Sequence, residues 1–252
     1  MKLLNTSRKF HKWLMLFLGI QFLIWSVSGA YMVIFDIDYI HGDSLVINHQ
    51  TKIDASKITY PISELKNQYS GAENIEVGLF IGQEVYRFTQ LDEKILLNAS
   101  NGQQLSPLSA NEAINAAKHN YSGRGEVANT ELITENPPIE LSRRALPAWR
   151  VNFDDFGNPS IYVSAQTGQL VGKRHEFWRI FDWMFSFHVM DYEEEDPSNQ
   201  LLFWFTLFSI IASIFGAILS YFVIFNKAKV KTGELKLSEI KDNEEGISHV
   251  SS

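Results

Sequence analysis

Two stretches without a single charged residue constrain this chain more than anything else in it. Trp13 to Phe35 reads WLMLFLGIQFLIWSVSGAYMVIF, and Leu201 to Phe225 reads LLFWFTLFSIIASIFGAILSYFVIF. A helix rises about 1.5 Å per residue and the hydrocarbon core of a bilayer is about 30 Å thick, so both stretches can cross it with some tilt. A helix in a soluble core rarely stays apolar on every face over such a length. Two membrane-spanning helices are therefore expected. The first stretch also resembles a signal sequence, with basic residues ahead of it and Ser28-Gly29-Ala30 before Tyr31. Its apolar run exceeds the roughly 7–15 residues of a signal and continues as MVIF, which favours an uncleaved anchor.

The flanks predict an orientation. Lys2, Arg8, Lys9 and Lys12 precede the first stretch, and Asp36, Asp38 and Asp43 follow it. Asp191 to Asp196 (DYEEED) precedes the second, and Lys227, Lys229 and Lys231 follow it. Basic flanks stay in the cytoplasm, so both termini are expected there and the middle of the chain outside. Residues 36–200 carry 13 bases against 24 acids. That balance argues against nucleic acid, whose phosphates demand clustered Lys and Arg. It suits cations or basic partners, or simply keeps the domain soluble. With no cysteine in the chain, disulfides, thiolate catalysis and Cys-ligated zinc are excluded.

Between the spans the pattern repeats. A short helix is expected over Ile62 to Tyr69, after Pro61, then strands over 75–81, 84–89 and 95–99. A second helix is expected over Ala110 to Tyr121, with Ser109 as N-cap and Glu112 completing a capping box. Strands over 127–134, 148–154 and 160–165 follow. Tyr86-Arg87-Phe88 leads to Ala99-Ser100-Asn101-Gly102-Gln103, and Trp149-Arg150-Val151 leads to Ala165-Gln166-Thr167-Gly168-Gln169. The two closing turns need the positive φ that glycine adopts cheaply. The predicted fold is α+β: two transmembrane helices flanking a tandem helix-plus-antiparallel-sheet domain. The predicted boundaries are a cytoplasmic N-terminus 1–12, spans 13–35 and 201–225, sheet units 36–105 and 106–172, an amphipathic juxtamembrane segment 173–200, and a cytoplasmic tail 226–252 expected to be disordered.

The order of these pieces resembles PepSY-type membrane proteins. The resemblance is carried by PAWRVNF followed by IYVSAQTGQLVG, by SRKFHKWLMLFLGIQFLIWSVSGAYM at the N-terminus, and by RIFDWMFSFHVMDY before the second span. It implies a periplasmic domain on a bacterial inner membrane. The function implied is that of an accessory protein in iron- or siderophore-linked membrane processes, extending to a haem-linked electron-relay subunit. The alternative it implies is a protein-binding or protease-inhibitory module, since PepSY units also occur in peptidase propeptides. Larger relatives carry three or more spans, and this chain has two.

His11 and His188 are the implied haem ligands, since neutral imidazole binds haem iron. The predicted orientation places them on opposite faces of the bilayer, so one haem would need a second subunit. Otherwise His11 is an interfacial residue beside Lys12, and His188 is packed or wet. Ala212, Gly216 and Ser220 form a small-residue row that admits another helix. That helix is either the first span, through Gly19, Ser26 and Gly29, or another membrane protein or second copy. In the segment 175–190, Glu176, Arg179, Asp182 and Ser186 share one helical stripe and Phe177, Phe181, Met184 and His188 another. Such a helix lies on the bilayer surface or covers the domain's own sheet. The acidic run Glu193 to Asp196 either holds a cation or is a solvated loop. His175-Glu176 lacks the second histidine of a zinc-protease helix, and GQLVGK is one spacer short of a phosphate loop. No catalytic constellation is recognisable.

Overall fold

The computed structural model describes residues 2–49, 52–192 and 199–248. The chain divides into two compact units. One comprises residues 1–30 and 184–252, and the other residues 31–183.

The first unit is built on two long helices, α1 (Lys2–Ile34) and α6 (Gln200–Ser248). Their apolar portions, Arg8–Ile34 and Gln200–Ile224, are long and apolar enough to cross a membrane. Only 17% and 6% of their most apolar windows are buried. A core helix of a soluble protein would hide most of that surface, whereas here Leu16, Ile20, Leu23, Phe203 and Ile214 stand exposed. Such a surface fits a two-pass membrane protein. Contrary to the expectation of a disordered tail, α6 continues as helix to Ser248.

The two helices meet along a seam. Leu14, Leu18 and Trp25 pack with Leu202, Phe205 and Ala212. His11 lies against Ala212 and Gly216, and Trp25 against Phe205, so the helices are antiparallel. The seam positions 11, 14, 18 and 25 on α1 are spaced by three, four and seven. Positions 202, 205, 212 and 216 on α6 fall on the same period. This is the heptad pattern of a left-handed helix pair.

The second unit holds two antiparallel meanders. β1 (Glu73–Phe80), β2 (Gln83–Gln90) and β3 (Glu93–Asn98) form a three-stranded sheet in that order. β4 (Glu126–Ile133), β5 (Ala148–Asp154), β6 (Ser160–Ser164) and β7 (Leu170–Arg174) form a four-stranded one. A one-turn helix α2 (Ile37–Ile40) enters the unit, and α3 (Ile62–Gln68) and α4 (Ala110–Asn120) precede the two sheets. α4 begins where the capping box places it: the Ser109 hydroxyl accepts the Glu112 N–H, and the Glu112 carboxylate accepts the Ser109 N–H at 2.7 Å.

The alternation of side chains along each strand builds three packed zones. Tyr86, Phe88, Ile95 and Leu97 face Leu65 of α3. Val85 and Leu96, on the opposite face of the same strands, join Ala116 and Ala117 of α4, its C-cap Tyr121, and Val151, Phe153, Ile161 and Val163 of the second sheet. The halves that the sequence separates at 105/106 therefore share one core. The remaining face of the second sheet, with Ala148 and Tyr162, packs against Leu141 and Leu146 of the long β4–β5 connection.

The repeat reaches down to individual bonds. Gly102 N–H donates to Asn98 O at 2.9 Å and Gly168 N–H to Ser164 O at 3.0 Å. Asn98 N–H donates to Gln103 O at 2.8 Å and Ser164 N–H to Gln169 O at 2.9 Å. Both glycines have positive φ, 72° and 66°. After the first turn the chain makes a single bridge, Leu97 to Gln104; after the second the corresponding pair, Val163 and Leu170, opens a full strand.

Candidate functional site

Two of the anticipated residues sit in the helix seam and are engaged there. His11 Nδ1 lies 3.3 Å from the carbonyl oxygen of Ala212. Its ring fills the space left by Gly216, where an added Cβ would come within 3.0 Å of His11 Cε1. Ala212 is buried, while Ser220 is exposed. The small-residue row thus serves α1 at its first two positions only. Gly19 and Ser26, expected on the α1 side of that contact, face outward, and Gly29 lies against His188 instead.

His188 belongs to the end of α5 (Glu176–Val189), where backbone chemistry explains the polar residues of α1. The last four carbonyls of a helix lack partners within it. Met190 adopts φ 55°, and Asp191 N–H returns to Ser186 O at 3.1 Å, as in a Schellman turn. Gln21 Nε2 donates to Phe187 O at 3.2 Å and Trp25 Nε1 to His188 O at 2.7 Å. Asn199 Nδ2 donates to Val189 O at 2.8 Å. All four carbonyls are satisfied, and Ser28 Oγ pairs with His188 Nδ1 at 2.9 Å.

His11 and His188 are not brought together. His188 sits at the level of Ser28, seventeen residues along α1 from His11, or about 25 Å. One haem cannot span that distance. The separation alone means that the pair does not fit one haem held within this helix unit; the hydrogen bond on each Nδ1 leaves Nε2 as the ring's second nitrogen.

The sheet unit buries a charged cluster that the sequence did not disclose. Glu140, in the β4–β5 connection, has a side chain 4% exposed. Its two oxygens accept Arg179 Nε at 2.7 Å and Nη2 at 2.8 Å, and the Tyr162 hydroxyl as well. Arg179 also reaches Glu176 and Ser160. Burial works to raise the Glu140 pKa, but the hydrogen bonds from Arg179 and Tyr162 and the charge of Arg179 overcome it and hold it below the ordinary range. Burial and the Glu140 partner push the Tyr162 hydroxyl up. The first turns of α5 therefore cover the sheet of their own unit, one of the two placements expected for this helix. His175, 2% exposed, caps it: Nδ1 accepts Trp178 N–H at 3.3 Å while Nε2 donates to Tyr39 O at 2.7 Å.

An open feature of this unit is a groove of about 790 Å³, within the usual range of ligand sites. Glu76 to Gly82 form one wall, and His49, Ile53, His119, Leu170 and Val171 line the rest. β1 and β7 are both sheet edges, so unpaired backbone borders the groove on each side. Arg87 lies within it. Its Nε donates to Thr167 O and its Nη2 to Leu79 O, both at 2.8 Å. Gly78 makes room, because a side chain there would overlap the guanidinium. Among the described residues Arg87 has no ion-pair partner, and burial lowers its pKa. The His49 and His119 rings stack at 4.3 Å, and burial, then the neighbouring ring, lowers His119. Sequence reasoning used Arg87 only as a mark of the repeat; its place beside a glycine on an edge strand was the available signal.

Among the described residues no three His, Asp or Glu side chains are placed to share a metal ion. The run Glu193 to Asp196 lies outside the described residues. Comparison with protein-family models, with curated proteins and with solved structures finds no match to this chain.

Proposed function

We propose that this chain is a two-pass inner-membrane protein of the PepSY type, with both termini cytoplasmic and its sheet unit periplasmic, acting as a binding module for a polypeptide partner. The observation that carries the binding role is the groove between two open strand edges, since unpaired strand edges are templates for an added strand. The flanking charges support the orientation, and the doubled helix-and-meander unit supports the family. An iron- or siderophore-linked role would be exercised through the partner, because His11 and His188 stand about 25 Å apart along α1 and cannot share one haem within this chain.

The absence of cysteine makes the topology directly testable. Asn101→Cys, on an exposed turn, is expected to react with a membrane-impermeant maleimide in intact spheroplasts, and Thr6→Cys only after permeabilisation. The reverse pattern would overturn the orientation. For the binding role, a photo-crosslinking residue at Leu170 is expected to give a discrete adduct in cells that the same residue at Leu91, on the exposed β2–β3 tip, does not. Identical adducts from both positions, or none from Leu170, would remove the groove as the binding surface.

A further inference from the structure

We propose that the groove takes the C-terminal end of a polypeptide as a strand added to β1, with Arg87 receiving its free carboxylate. This rests on the binding-module reading above.

The hairpin geometry determines what β1 offers. Ile81 and Gly82 form a two-residue turn with φ of 50° and 74°, and Phe80 faces Gln83 across it. In such a hairpin the pair flanking the turn is hydrogen-bonded and bonding alternates from there. Gly78 and Glu76 therefore bond to β2, and Val77 and Leu79 turn their backbone groups away from it, toward the open edge. An incoming strand can pair with Val77. It cannot continue past Leu79, whose carbonyl is already held by Arg87. The guanidinium thus stands on the line that the backbone of an added strand would follow, and the strand must end there.

What ends a strand at that point should be an anion on the main chain. A guanidinium has five N–H donors, and two of the three Arg87 nitrogens are spent on Leu79 O and Thr167 O. Glu76, exposed at the rim, acts on it through its charge but makes no ion pair or hydrogen bond with it among the described residues. In a unit, residues 31–183, with 19 acids against 13 bases, a half-buried arginine that no carboxylate contacts keeps N–H donors for an anion. A terminal carboxylate lies on the backbone itself, whereas an Asp or Glu side chain stands off the pleat. Leu170, Val171 and Ile53 across the groove supply apolar contact for alternate side chains.

The test uses the full-length protein in lipid nanodiscs and fluorescence anisotropy. The probe is a fluorescein-labelled Val-Thr-Val-Thr-Val peptide with a free C-terminus, compared with its C-terminal amide and with a form N-methylated at alternate peptide bonds. The free acid is expected to bind, and both modified peptides to bind at least about 10-fold more weakly, the loss of one charge-assisted hydrogen-bonding site. Leu170→Trp, which fills the groove from a half-exposed position, should abolish binding, and Leu91→Trp should leave it unchanged. Acid and amide binding alike, Leu170→Trp binding as the parent does, or no saturable binding of the acid would each overturn the inference. If the Leu170 crosslink persists while acid and amide do not differ, only the carboxylate assignment falls; loss of the crosslink itself removes the wider reading.

Discussion

Replacing Arg179 with methionine should be among the most damaging single changes available in the sheet unit. The substitution keeps most of the aliphatic stem but removes both donors from Glu140, leaving the carboxylate with the Tyr162 hydroxyl alone. With its side chain only 4% exposed, Glu140 cannot recover those bonds from water. Breaking a buried pair by removing one partner costs roughly 3–5 kcal/mol, far above the 0–1 kcal/mol of a surface pair. For a unit of this size each kcal/mol shifts the melting midpoint by about 2–4 °C, so a drop of roughly 6–20 °C is expected. The assay is a thermal melt of the detergent-solubilised protein followed by tryptophan fluorescence. Glu140→Gln combined with Arg179→Met removes the stranded charge while keeping an acceptor for Tyr162, and should recover at least half the loss. The pair also has a pH signature. With the Glu140 pKa depressed in the folded state, its contribution is present above about 4.3 and is lost as pH falls through and below that value. A drop under about 3 °C for the single variant, or a double variant no better than the single, would refute the reasoning.

Two further outcomes follow from the same geometry. The His175 pKa is lowered, chiefly by burial and also by the charges of Arg179 and Arg174, against opposing hydrogen bonds to the backbone. Above about 6.5 the ring is neutral in both folded and unfolded chains; below it the unfolded chain takes the proton first, and stability falls. Wild-type melting temperature should therefore drop more between pH 7 and pH 5 than that of His175→Phe, and parallel profiles would contradict the cap. In the helix seam, Gly216→Val forces a side chain into the His11 ring and should cost roughly 1–3 kcal/mol. His11→Ala should relieve it and Ser220→Val should be neutral, both read from the same melts.

Much of the architecture was legible because it rests on local rules. The apolar runs located both helices, and Ser109 with Glu112 located the start of α4 to the residue. The closing turns at Gly102 and Gly168 showed because only a small set of residues adopts their backbone. β7 escaped notice because Leu170 to Arg174 is a short edge strand with a glycine and two cations, lacking the alternation of a half-buried strand. The seam was misread for a different reason. Small residues were sought on α1, whereas Gln21 and Trp25 are there to satisfy carbonyls at the end of α5, a partner more than 150 residues away, and Ser28 meets the His188 ring. The Glu140–Arg179 pair and the Arg87 groove are likewise products of long-range packing, and no spacing rule along the chain connects their members.

The capped end of α5 bears on how the protein is made. Gln21 and Phe187 are separated by 166 positions. At about 5–20 residues per second, translation takes roughly 8–33 s to deliver the accepting carbonyl after the donating amide has been made. In a two-pass protein, α1 would wait that long in the bilayer or its insertion machinery with Gln21 and Trp25 unmatched. In such a protein the first helix would carry an appointment with a segment not yet synthesised, its polar stripe sheltered until α5 and α6 arrive.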